Sequence, residues 1–152
     1  MEQILQIDPI DLHKSMSDLR KEGYDFLRSL TGIDWGEEGL GVVYHLEKTN
    51  TRENKVIRVL TTNRENPELP TVSDIWKGAE FNEREVYDFF GIRFIGHPDM
   101  RRLYLREDWV GYPFRKDYDT NLNPLRMTNE EPDDVTQHFE VQKDGSVIKK
   151  RE

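Results

Sequence analysis

The sequence predicts an α+β fold: a two-layer sandwich with helices on one face of a mostly antiparallel sheet, and an extended C-terminal arm. Three observations predict it. Strand-like and helix-like patterns follow in the order strand, helix, three strands, helix, an order that suits helices packed on one side of a sheet. The β-rich runs 41–48 and 55–62 are joined by a polar loop holding Asn50, Thr51, Arg52, Glu53 and Asn54, a hairpin signal. After residue 106 regular patterning stops while large aromatic residues continue. The chain therefore divides into an α+β domain, 1–106, and an arm, 107–152.

Residues 2–7 alternate as an edge strand, with Ile4 and Leu5 available for burial. Asp8 and Pro9 open a helix, Asp as N-cap and Pro at the first helical position. Ile10, His13, Met16, Leu19 and Arg20 lie near one helical face, and Gly23 is the stop. His13 has no second ligand three or four positions away and reads as a helix residue. Residues 24–35 alternate as a strand broken at Gly32, which opens a turn region reaching Gly41. Gly39-Leu40-Gly41 lacks the third glycine and following helix of a dinucleotide fingerprint. His45 is a sheet residue. Residues 63–70 form an exposed connection punctuated by Pro67 and Pro70. A helix capped by Thr71 or Ser73 starts near Val72, carries Ile75 and Trp76, and bends around Gly78.

From Ala79 to Phe90, Ala79, Val86 and Phe90 fall at i, i+7 and i+11, one helical stripe, with Glu83 lying on it. Arg84 and Asp88 are four apart and able to pair, Glu83 and Glu85 point to different faces, and Gly91 ends the helix in the left-handed region. Ile92, Phe94 and Ile95 suggest a short extended run, and Gly96–Asp99 a turn. In the arm, Trp109, Tyr112, Phe114 and Tyr118 stand among prolines and charges at no regular period. Asp144-Gly145 signals a terminal hairpin over 139–149.

Composition narrows the function. With 152 residues the chain can bury one modest core, and its hydrophobic share of 35% is below the usual value of about 45–50%. A net charge of −8 argues against a general nucleic-acid binder, which needs a basic excess to meet phosphate. No cysteine is present, which excludes thiolate-ligated iron–sulfur clusters, thiolate zinc sites, disulfides and a cysteine nucleophile. No apolar run approaches the roughly 20 residues of a membrane span, and residues 1–10 carry no signal or transit pattern. The chain reads as cytosolic, reaching a membrane only through partners. Glu83, Glu85, Asp88 and His97 lack the Glu-x-x-His pairs of a dinuclear carboxylate site, and neither a nucleophile elbow nor a phosphate loop is present. No active site is expected.

The stretch 80–106 packs charge tightly among large apolar side chains. Glu83-Arg84-Glu85, Asp88, Phe89-Phe90, His97, Arg101 and Leu103-Tyr104 fill ten positions across 22 residues. In that spacing the sequence resembles the 30 kDa, or C-type, subunit of the proton-translocating NADH:quinone oxidoreductase, respiratory complex I. The likeness runs from about residue 4 to residue 118, taking in Val72–Trp76, Asp108-Trp109, Gly111-Tyr112 and Arg115–Tyr118.

The resemblance implies a non-catalytic subunit of the peripheral arm, docked on the 49 kDa-type subunit near the quinone module. It further implies that NADH, FMN, iron–sulfur clusters and quinone belong to other subunits, and that the chain lies on the cytoplasmic side of a bacterial inner membrane. No fused 49 kDa domain follows in this sequence, so the partner is expected as a separate polypeptide. On this reading Arg101, Arg102, Trp109, Tyr112, Phe114, Arg115, Lys116, Asp117 and Tyr118 meet the partner. The signature charges both clamp the fold internally, through Arg84 with an acid of its own helix and Glu83 or Glu85 with Arg101 or Arg102, and touch that partner. The equivalent subunit of a membrane-bound hydrogenase or a ferredoxin-fed dehydrogenase shares the signature. A stand-alone binding module is the reading from another class.

Overall fold

The computed structural model describes residues 4–123, 139–141 and 147–149. It divides into a compact unit Met1–Tyr118 and a second unit Asp119–Glu152. The first unit is α+β, as the element order predicts. Its main sheet is built from β1 (Ile4–Ile7), β2 (Phe26–Asp34), β3 (Leu40–Glu47) and β4 (Asn54–Leu60), in the order β1-β4-β3-β2. The β2/β3 and β3/β4 pairs are antiparallel, and β1 joins β4 in parallel. Alternation along β3 buries Leu40, Val42, Tyr44 and Leu46, which meet Ile57 and Val59 of β4 in the core. Both helices, α1 (Leu12–Lys21) and α2 (Ala79–Phe90), add to that same core.

Three local expectations shift. A 3₁₀ turn over Pro9–Asp11 precedes α1 and resets its phase, so Leu12, Met16 and Leu19 are buried while Ile10 is 91% exposed. Ile4 and Leu5 are exposed as well, and Ile7 is the residue that β1 buries. β2 does not break at Gly32 but runs on to Asp34. There the Phe90 ring comes within 2.5 Å of where a Cβ on Gly32 would sit, so this glycine serves close packing between helix and strand.

The connection 63–70 also holds more structure than its prolines suggest. Residues Glu68–Pro70 form β5, which pairs in parallel with β6 (Arg93–Ile95) and buries Leu69. The helix expected near Val72 is a single turn, with Ile75 N and Trp76 N both donating to Val72 O at 3.0 Å. The Val72 amide is itself taken by the Glu83 carboxylate, which anchors the segment to α2.

Helix α2 has the bounds its pattern gives, and Ala79, Glu83 and Val86 are buried along it. Gly91 ends it with φ 75° and donates to Tyr87 O at 2.8 Å. A Cβ on Gly91 would meet the Tyr112 ring at 2.5 Å and Arg115 Nη2 at 2.7 Å. Gly91→Ala is therefore expected to cost about 2 kcal/mol, combining the left-handed penalty with overpacking, read as a lowered midpoint in urea unfolding. In the second unit, β7 (Phe139–Val141) and β8 (Val147–Lys149) pair antiparallel. The Asp144-Gly145 turn expected between them lies outside the described residues.

Candidate functional site

Three carboxylates set at different points of the chain determine what the 80–118 region presents to its surroundings. The first, Glu83, is fully buried. Its oxygens accept from the Thr71 hydroxyl at 2.5 Å and from Val72 N at 2.8 Å, and His97 Nε2 lies 3.8 Å away. Burial pushes the Glu83 carboxyl up to about 7, against the two hydrogen bonds that favour its charged form. His97 is fixed by its own bonds: Nδ1 accepts from Asp99 N, so Nε2 carries the hydrogen and donates to Glu80 O, both at 2.9 Å. Glu83 therefore does not pair with Arg101 or Arg102. Glu85, two residues on, is exposed. Among the described residues no group of three potential metal ligands converges.

Asp88 is the second. One oxygen accepts from three successive backbone amides, Leu103, Tyr104 and Leu105, at 3.2, 2.7 and 2.9 Å, and the other from Arg102 Nη1 at 3.0 Å. Burial alone would raise this carboxyl, but the amides and the guanidinium together hold it below its ordinary value. Arg102 also donates to the carbonyls of Asp88, Trp109 and Gly111 at 2.9, 3.1 and 2.9 Å. Arg84, expected to pair with Asp88, instead donates to the carbonyls of Arg101 and Arg102 and stands 3.7 Å from Asp99. With Asp88 already engaged, Arg84 closes the same loop from its other side.

Asp34, at the end of β2, is the third, and sequence reasoning missed it. Arg64 grips it through two nitrogens at 2.9 and 2.6 Å, and the amides of Gly36 and Lys116 donate to it at 2.8 Å each. The guanidinium beside it holds this carboxyl well below the usual range. Arg64 also bridges to Asp117, while Arg115 donates to Phe90 O at 2.6 Å and Arg64 O at 3.2 Å. Apart from the Gly36 amide two positions on, the partners of Asp34 and Arg64 lie 30 to 82 positions away, so little local in the sequence marks them.

These anchors hold 107–118 on the first unit. Of the residues expected to meet a partner, Arg102, Arg115 and Asp117 are engaged within the chain, and Tyr112 packs on Gly91 and Tyr87. Arg101 is exposed and paired with Asp99. Trp109 is half-buried, as is Tyr118, whereas Lys116 is exposed apart from its bonded amide. Aromatic rings are also left outward. Phe89 stacks on Phe114 at 4.2 Å and on Tyr104 at 5.7 Å, with Phe90 edge-on to Phe114. Tyr104 is 65% and Phe114 57% exposed, so the outer rings of this stack face out of the fold.

Residues 5–124 match the family described as respiratory-chain NADH dehydrogenase, 30 Kd subunit. The chain is 74% identical to the NADH-quinone oxidoreductase C/D subunit of Phocaeicola vulgatus, with all of this chain and 30% of that protein covered. It is 41% identical to the chloroplastic NAD(P)H-quinone oxidoreductase J subunit of Capsella bursa-pastoris, over 76% of each chain. Its fold matches a solved trypsin-resistant fragment (1–134) of Nqo5 with TM-score 0.59 and 36% identity, over 63% of this chain and 80% of that one. Because this sequence spans 30% of the length of that first relative, a separate partner polypeptide does not follow from where it stops.

Proposed function

Because the chain belongs to the family of the 30 kDa subunit of respiratory-chain NADH dehydrogenase, we propose that it is a structural, cofactor-free part of the peripheral arm of an NADH:quinone oxidoreductase. It docks on the 49 kDa-type subunit near the quinone module, while NADH, FMN, iron–sulfur clusters and quinone are carried elsewhere in the assembly. The lack of cysteine supports this by removing the thiolates that ligate such clusters. No helix among the described residues is long and apolar enough to cross a membrane, which fits attachment to the cytoplasmic side of a bacterial inner membrane through the rest of the complex.

The observation that carries the reading is the outward ring stack of Tyr104, Phe89 and Phe114, held in place by charges directed inward. Exposed aromatics on a rigid frame are the usual anchors of protein interfaces. Truncating the outermost pair, Tyr104→Ser with Phe114→Ser, is expected to weaken docking by about 2 kcal/mol or more, some 30-fold in affinity. Protection of residues 99–118 from limited proteolysis in membranes holding the assembled complex, and the quinone reductase activity, should fall together. Unchanged protection in membranes containing the folded variant would refute the docking surface.

A further inference from the structure

Among the described residues β2 is the last strand of its sheet and pairs with β3 alone. It is nine residues long, whereas unpartnered edges are ordinarily kept short, charged or covered because every second residue presents free main-chain groups. Leu30 and Gly32 are buried and Thr31 is exposed, and residues 29–33 carry no charge; Arg28, earlier on the strand, lies 3.8 Å from Glu47 of β3. Beside it lies a cleft of about 150 Å³, bounded by Leu30, Thr31 and Gly32 on the strand and by Glu85, Phe89 and Phe114 across from it. The two features share residues 30–32: a strand edge unpaired among the described residues, and a mostly apolar slot that those residues line.

Glu85 supplies the charge. Of the signature carboxylates, Glu83 and Asp88 are fully buried and tied to groups of the same chain. Glu85 is exposed and, among the described residues, its side chain has neither an ion pair nor a hydrogen bond. It stands at the rim of the slot.

We propose that the outer edge of β2 is completed by an extended segment of the 49 kDa-type partner, which adds a strand to the sheet. Side chains of an added strand alternate between faces, so the segment lays an apolar residue into the slot and sets an arginine or lysine against Glu85. This rests on the docking role proposed above and specifies its geometry: main-chain pairing fixes direction and register, and the Glu85 pair selects the partner.

Photo-crosslinking in membranes containing the assembled complex tests it, with a benzoyl-phenylalanine probe placed singly at Thr31, at Tyr104, or at the exposed Lys14 of α1 as a control. The expected result is a product from Thr31 and from Tyr104 with the same partner subunit. The Thr31 product should map to a segment of alternating apolar residues with a lysine or arginine near the attachment point. Glu85→Lys should lower the Thr31 yield at least ten-fold, and an acidic residue at the mapped basic position should restore it. A Tyr104 product with the partner but none from Thr31, or a Thr31 product mapping only within residues 1–152 of the same or a second copy, overturns strand addition and leaves docking intact. No product from either site overturns the docking reading itself. As a second measurement, amides 26–34 in the assembled complex should all exchange as slowly as those of 40–47; fast exchange at every second amide counts against the added strand.

Discussion

Asp88→Ala is expected to destabilise the 1–118 unit by about 3–5 kcal/mol, the cost of removing one partner from a buried, hydrogen-bonded ion pair. The size follows from what the carboxylate satisfies. One oxygen takes three consecutive amides and the other takes Arg102, whose side chain is 11% exposed. Without it those amides must reach water. The Arg102 guanidinium keeps only carbonyl partners and loses its counter-charge. The loop 99–111 should then open, so limited proteolysis should cut there in the variant and not in the parent. Asp88→Asn, which keeps one acceptor oxygen, should fall between the two. A urea midpoint for Asp88→Ala within experimental error of the parent would remove this carboxylate as the organiser of the loop.

The second large effect depends on pH. Glu83 has a folded-state value of about 7 against 4.5 for an ordinary glutamate. Between those values the folded chain holds a proton that the unfolded chain has released, so stability falls as pH rises through that window. The loss amounts to roughly 3 kcal/mol for a shift of this size. Tyr44, Asp74, Glu80 and His97 are the titratable groups around the site, and none of the three acidic ones stabilises a charge on Glu83. Asp34 and Asp88, both lowered, act in the opposite sense and only in acid, where protonating them removes stability. The measurement is therefore a difference: the stability of the parent relative to Glu83→Gln should decline from pH 4.5 to 7 and be flat above it. Parallel curves for the two proteins would show that Glu83 stays ionised throughout.

Both predictions concern residues that the sequence places on one helix without saying what they do there. The spacing separates Glu83 from Glu85, and the structure buries the first and exposes the second. It offers Arg84 and Asp88 as an i, i+4 pair, yet each is drawn to the returning loop instead. An exposed pair of that kind is worth a few tenths of a kcal/mol, too little to compete with a carboxylate that closes three amides at once. The same balance turns Arg102 and Arg115 inward, where planar five-donor groups gather carbonyls from three separate stretches of chain. The ring stack was legible only as an excess of aromatics. That Phe89 would lie between Tyr104 and Phe114 depends on how the loop and the 112–118 segment fold back.

By itself the sequence determined the α+β class, the β3/β4 hairpin, the bounds of α2 with its glycine stop, and the family signature. These are local regularities, fixed by residue period and by the conformations that glycine and proline permit. The tertiary structure alone decided that 68–70 pairs with 93–95, that Val72 starts one turn rather than a helix, that Asp34 and Arg64 clamp the 115–117 stretch, and which charges face inward. Each of those depends on a partner brought close by folding from between 11 and 82 residues away. A buried donor or acceptor is satisfied by whichever group the packed chain delivers to it, and no local pattern records that choice.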